Sequence, residues 1–330
     1  MRTILLGLAL LACLSCGPDS ASEKVILAES RSVDQTIASN EVLVLREAVT
    51  FYSGASLILE PGASLRFEED VTLHISGDLI ALASSAGSIY VHSDGAEHMG
   101  VVRVDGSLAS ISHVLFDGMF VGLLCTSDSL QMDNTEFKNC DTGFWIQNSL
   151  SNLNDLKVKN CGLGARIESS KLLLQSSVFS NCSDIGIRLS GAGGTITNCQ
   201  FTGNMWGINS IDSDTTRCEF NHFESNTYGI RYFYGDVRFT DNTCINNEMH
   251  IFLSAYPRHT VNMHRNNFFE SDSSAVHILP RPWNNPHDVV IDNNYWNTTD
   301  HAEIAQRIYD GLDHQPCDVL IFDPIATAPF

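Results

Sequence analysis

The residues of this chain best suited to chemistry form a series at near-constant spacing. Trp145, Arg166, Arg188, Asn209, Arg231 and Phe252 follow one another at steps of 21 or 22 positions, and the first five each stand two residues after a glycine. Guanidinium forks bind carboxylates through paired hydrogen bonds, and aromatic rings lie against apolar surface such as the faces of sugar rings. If the six share one face, that face could track a polysaccharide, an acidic one in particular. The same arginines could instead pair with Glu168, Asp212 or Asp214 on an ordinary solvated surface.

A catalytic reading needs acids as well. Cleaving a glycosidic bond calls for two converging carboxylates. Asp212 and Asp214 alternate in Ile211-Asp212-Ser213-Asp214 and could face the same side, with Asp184 and Asp236 at neighbouring heights. A lyase would need an acid cluster for calcium plus a basic side chain. Arg188 and Arg231 beside Asp212 and Asp214 are the candidates for that role. They remain weak ones, because Asp-x-Asp is common in turns, where it satisfies backbone donors. Calcium enters only with the lyase reading. No Gly/Asp calcium repeat, CxxC or Cys/His zinc spacing occurs, so no metal or other cofactor is expected. The histidines are scattered; His259, His264, His277 and His287 come nearest to a group. Trp283, in the irregular stretch 279–287, is a further candidate ligand contact, since loops that leave a rigid scaffold often carry function.

What must position these residues is a repeat. Phe116, Phe137, Val158, Phe179, Phe201, Phe223 and Cys244 recur every 21 or 22 positions, and Phe268 follows after 24. Three residues past each anchor runs the column Met119, Cys140, Cys161, Cys182, Asn204, Asn226, Asn247 and Ser271. Six or seven past it comes Gly122, Gly143, Gly164, Gly186, Gly207 and Gly229. Segments such as Phe144-Trp145-Ile146 and Ile187-Arg188-Leu189 alternate apolar and polar, the period of a strand. Gly, Asn, Ser and Asp gather between them, where bends call for positive φ. A coil of this size cannot bury its own apolar face. Stacked at about 4.8 Å it pairs its backbone with its neighbour and shares a core. Asparagines at a bend can then form amide ladders, and the cysteine column reads as small buried thiols.

With these columns the chain resembles the right-handed parallel β-helix repeat proteins of the pectate-lyase-like superfamily, over roughly residues 40–325. SGASLILEPGASLRFEEDVTLHISGDLIA at 53–81 looks like the opening coils of bacterial surface members, and NNYWNTTDHAEIAQRIYDG at 293–311 is similar to their closing element. Asn297 stands where those proteins usually carry glycine after the tryptophan. The resemblance implies an all-β right-handed parallel β-helix solenoid with a short C-terminal capping helix. It leaves activity open, because the fold hosts lyases, hydrolases, epimerases and binding proteins.

The expected organisation is a signal at 1–16, a tether at 17–24 and one β-helix domain at 25–330. Within that domain a cap occupies about 25–50, coils about 51–298, and a capping helix and strand 299–330. Arg2 followed by the apolar run Ile4 to Leu11 reads as a signal sequence, too short to span a bilayer as a helix. It resembles bacterial lipoprotein signals, with Cys16 as the lipidated residue and Cys13 as the alternative. The expected location is the outer membrane or cell surface, or alternatively the periplasm or medium. Removal of 1–16 leaves 18 basic against 39 acidic side chains, a formal charge of −21. Such a surface repels nucleic acid. The expected partners are therefore a polysaccharide or cell-surface glycan, and a membrane through the N-terminal lipid. The leading function is non-catalytic carbohydrate binding; the alternatives are a polysaccharide lyase, hydrolase or epimerase, or a structural or adhesive rod. At the far end Asp300 can cap a helix, with Glu303 completing a capping box. Ile304, Ile308 and Leu312 should share one face, with Trp296 packed beneath.

Overall fold

The computed structural model describes residues 24–27, 29–85, 87–95, 98–254, 260–271, 273–278, 289–313 and 318–330. They build a parallel β-helix. One side is a 12-stranded sheet whose strands stack in chain order from Lys24–Leu27 to Asn267–Phe268. Each strand pairs in parallel with the one a coil later, as Glu136–Lys138 does with Lys157–Lys159. The other coil strands form two rows. One contains Thr142–Gln147, Leu163–Glu168 and Ile185–Ser190 and is called the arginine face below. The other contains Ser129–Asp133, Leu150–Asn154 and Lys171–Gln175 and is called the amide face. In two coils the rows fuse into long strands, Trp206–Glu219 and Tyr228–Thr240, which pair with a register shift between Ser213 and Thr216.

The anchors point inward. Phe116, Phe137, Val158, Phe179, Phe201, Phe223, Cys244 and Phe268 are each at most 2% exposed. Their rings stack up the axis, with centroids 4.6 Å apart for Phe116–Phe137 and 5.0 Å for Phe201–Phe223. The bends account for the asparagines. Asn139, Asn160 and Asn181 all have φ of 53°, and Asn134, Asp155, Ser176 and Asn198 form a second left-handed column. Asn148, Ser169, Gly191 and Asp212 form a third. Left-handed backbone costs an ordinary L residue about 1–2 kcal/mol, and glycine, asparagine and aspartate tolerate it best.

The glycine column is set by stacking and not by the bends. Gly122, Gly143, Gly164, Gly186, Gly207 and Gly229 do not adopt positive φ. They are small because a Cβ would come within 2.4–2.6 Å of a carbonyl oxygen one coil on. The column ends at His250, whose ring is wholly buried between Asn247 Nδ2 and the Phe269 carbonyl.

Two amide ladders run inside the later coils. Asn204, Asn226 and Asn247 form one, and Asn221, Asn242, Asn266 and Asn294 the other. Each amide but the last of its ladder bonds the next asparagine and a backbone carbonyl of an earlier coil. These ladders follow the same stack positions as the cysteines below them: Cys182 N–H donates to Asn204, and Cys199 N–H to Asn221. The seven described cysteines are free and buried.

The helix is shorter than its apolar spacing predicts. It spans His301–Gln306, and Asp300 Oδ1 accepts the N–H groups of Ala302 and Glu303. Glu303 turns to Thr298 and Arg307 instead of back to the cap residue. Ile304 is buried, and Trp296 packs 4.9 Å from Phe268. Ile308, however, belongs to a strand paired with Val276, and Leu312 is 82% exposed. The backbone gives up helix after Gln306 to extend the arginine face, so the expected three-residue stripe does not form. Among the described residues no helix is long and apolar enough to cross a membrane.

Candidate functional site: the arginine face

Cross-strand register sets Leu124, Trp145, Arg166, Arg188, Asn209, Arg231, Phe252, His277 and Tyr309 in one column. The column alternates with inward residues such as Ile146, Ile167 and Leu189, which are at most 2% exposed. Strand periodicity therefore holds the arginines on the outer surface at coil spacing.

The column changes character along its length. At its lower end Arg166 is satisfied. Its guanidinium lies 4.1 Å from the centre of the Trp145 ring, and its Nε donates to Glu168 at 2.7 Å. Trp145 Nε1 and Gln147 Nε2 donate to the same carboxylate. Burial works against the charged form of Glu168, but the hydrogen bonds from Gln147, Arg166 and Trp145, with the Arg166 charge, outweigh it and lower its pKa.

One coil on, Ser190 occupies the register of Glu168. Among the described residues Arg188 Nε is buried without a hydrogen-bond partner, and so is Asn209 Oδ1, on a residue only 7% exposed. Leaving such a group unpaired costs about 1–3 kcal/mol. Arg188 and Asn209 thus carry one unused donor and one unused acceptor, both closed off from solvent, at adjacent coil positions.

Above them the face becomes aromatic. Trp206 and Tyr228 stack at 3.9 Å, with Phe252 edge-on to both at 6.0 and 6.3 Å. Phe252 stacks on His277 at 5.1 Å, and His277 on Tyr309 at 4.6 Å. Burial lowers the His277 pKa, which favours its neutral form. Arg231 sits among these rings, 4.8 Å from the centre of Phe233 and 5.4 Å from that of Trp206. From the Trp206 coil to the Tyr309 coil the strip runs roughly 19 Å at the usual strand spacing.

The acids lie at the margins. Asp184 precedes the strand Ile185–Ser190 and is exposed; Asp212 is exposed at the left-handed bend on the other side of the face. A strand of this length puts about 20 Å between those margins, against the roughly 5–10 Å that paired glycosidase carboxylates need. Asp236 Oδ1 accepts the Thr260 N–H at 2.7 Å. The Asp214 side chain, Trp283, Cys13 and Cys16 lie outside the described residues, as do His259 and His287. Among the described residues no three His, Cys, Asp or Glu side chains form a metal-ligand set.

Sequence spacing missed Trp206, Tyr228, His277 and Tyr309 as members of this face. The first two directly precede Gly207 and Gly229, so the period could have found them. The last two follow the interruption of the period after Phe252.

Residues 148–296 match the family model of the right handed beta helix region. Among solved structures, the chain is similar to the enzymatically active domain of tailspike protein 2 of bacteriophage CBA120. That match has 10% identity and a TM-score of 0.39, and covers 82% of this chain and 44% of the tailspike chain. It is also similar to a single and a double mutant of the periplasmic alginate epimerase AlgG. Both have 10% identity and cover 93% of this chain and 79% of the epimerase, with TM-scores of 0.41 and 0.43. No curated protein matches the chain.

Proposed function

We propose that this right-handed β-helix protein binds an acidic polysaccharide along its arginine face. The reading rests chiefly on Arg188, a half-buried guanidinium with no carboxylate among the described residues, next to an Arg166 paired with Glu168. A bound carboxylate would accept from Arg188, and Asn209 would turn its amide outward to accept from a neighbouring sugar hydroxyl. The rings of Trp206, Tyr228, Phe252, His277 and Tyr309 would carry the rest of the chain by stacking. Binding without cleavage fits the margin positions of Asp184 and Asp212, since a hydrolase would need such acids to converge on one bond. Titration with hexagalacturonate tests the proposal: Arg188→Ala should weaken binding at least about tenfold, the worth of one charge-assisted hydrogen bond. Unchanged affinity would contradict it, and shortening of the oligosaccharide would favour the lyase or hydrolase alternative.

Export and lipid anchoring belong to the same proposal and rest on sequence alone. The Arg2-led apolar run and Cys16, or Cys13, would place the coils at the cell envelope facing glycans. Mass spectrometry of the N-terminal peptide tests this: a lipidated cysteine supports it, and an unmodified peptide starting past Cys16 contradicts it.

A further inference from the structure

The amide face differs chemically from the other two sides. Its outward column reads Ser110, Gln131, Asn152, Leu173 and Thr195 in cross-strand register. Shallow channels flank this row. One, of about 600 Å³, is lined by Leu82, Ser112, Asn154 and Gln175 among others; the second, of about 350 Å³, by Ser129, Leu150 and Lys171. Gln131 and Asn152 border both channels.

On the 12-stranded side many outward polar groups are spent on one another. Arg46, Glu68, Arg66 and Asp94 form one chain of ion pairs on the 12-stranded side, and Lys138, Asn139 and Tyr90 all bond Asp117. On the amide face the single carboxylate lining the channels, Asp133, is itself spent, one oxygen on Asn134 and the other on Asn154. The side-chain amides of Gln131, Asn152 and Gln175 make no hydrogen bond to any described residue. Each carries both donors and an acceptor. Beside them Leu150 is 62% exposed, Leu82 51% and Leu173 39%.

We propose that the Gln131–Asn152 row and its two channels form a second binding face, for a neutral polysaccharide. The ligand class follows by elimination and by fit. A peptide strand adds to a sheet through an open edge, whereas this is a sheet face whose backbone groups are already paired from coil to coil. A nucleic acid or another polyanion would meet a chain of formal charge −20 and only Lys171 on this lining. Hydroxyl groups, which donate and accept at once, match the amides, and the C–H faces of sugar rings match the exposed leucines. This face is separate from the arginine face and does not depend on it, so one rod could hold an acidic and a neutral glycan together.

The test is calorimetric titration of the full chain with cellohexaose, xylohexaose and mannohexaose, and with hexagalacturonate, using Gln131→Ala/Asn152→Ala, Gln175→Ala and Arg188→Ala variants. All three carry solvent-facing or half-buried side chains, and unchanged circular dichroism and melting would certify their folds. The proposal predicts that one neutral hexaose binds, that its affinity barely responds to salt, and that the Gln131/Asn152 variant loses roughly tenfold, as two neutral hydrogen bonds imply. Arg188→Ala should leave that binding intact. If no neutral hexaose binds at millimolar concentration, or if the amide variants bind as well as the parent, the proposal fails. Sedimentation adds a further overturning outcome: self-association that the Gln131/Asn152 variant abolishes, with no saccharide bound, would assign the face to a second copy of the chain.

Discussion

Arg166 and Arg188 are cross-strand partners in adjacent coils, yet among the described residues only Arg166 has a carboxylate. The difference comes from one register position, where Glu168 is followed by Ser190. Each coil carries the arginine two residues before this position, so the residue there decides whether the guanidinium is neutralised by its own strand. In the Arg166 coil the side chain is part of the architecture. In the Arg188 coil it is left for something else.

The Asn209 amide makes the same point from the acceptor side. Its Oδ1 is buried and unpaired, so Asn209→Ala removes an unsatisfied group and not a bond. Removing a buried acceptor that has no partner is close to neutral for stability. Thermal unfolding should therefore shift little or upward, while affinity for an acidic oligosaccharide falls. A drop in melting temperature typical of a lost core hydrogen bond would show that Asn209 is already satisfied in the free protein.

The asparagine ladders behave oppositely. Asn226 Oδ1 accepts from both the N–H and the Nδ2 of Asn204, while its own Nδ2 donates to the Phe201 carbonyl and to Asn247. Asn226→Ala orphans the buried Asn204 N–H, which should destabilise by about 3 kcal/mol. At the exposed corner residue Asn160, with φ of 53°, substitution by alanine should cost about 1 kcal/mol and by glycine close to nothing. Denaturant unfolding of the three variants checks the ranking, and an equal cost for Asn226→Ala and Asn160→Ala would refute the ladder's role.

His250 predicts a pH dependence. Burial lowers its pKa from 6.5 to about 4. The unfolded chain therefore binds the extra proton first, and stability rises with pH across that window. The contribution is complete near pH 7 and is lost as pH falls from 6.5 towards 4, amounting to roughly 3 kcal/mol. His250→Gln should flatten that part of the stability–pH curve relative to the parent. Parallel curves would mean that His250 is protonated, or open to solvent, in the folded protein.

The thiols should be silent until the fold opens. Burial pushes Cys182, Cys199 and Cys218 up to about 12, and the seven described thiols are buried. At pH 8 alkylation of these seven should proceed at the rate of unfolding, read peptide by peptide by mass spectrometry. Labelling within seconds at Cys140, Cys161 or Cys182 would contradict the packed stack.

Much of this was legible in the chain because stacking repeats the same physical demand in every coil. Phe137, Phe179 and Phe201 had to face inward, and Asn139, Asn160 and Asn181 had to bend. The arginine column was legible for the same reason, and even the step from Glu168 to Ser190 can be read from the period. What the spacing could not supply was geometry outside the repeat. Ile308 left the helix to extend the sheet and took Leu312 out of the expected stripe. His277 and Tyr309 joined the aromatic strip only through pairing across an interruption. That the glycine column follows from stacking is legible; the close approach of carbonyl oxygens that requires it needs coordinates.

The most direct test of the central claim compares Arg188→Ala with Arg166→Ala against hexagalacturonate and its carboxyl-reduced neutral counterpart by calorimetry. Arg188→Ala should lose at least about tenfold in affinity for the acid. Arg166→Ala should change that affinity by less than about threefold, because its charge is already spent on Glu168. The neutral chain should not distinguish the two variants. Equal losses from both arginines, or no loss from Arg188→Ala, would contradict the claim.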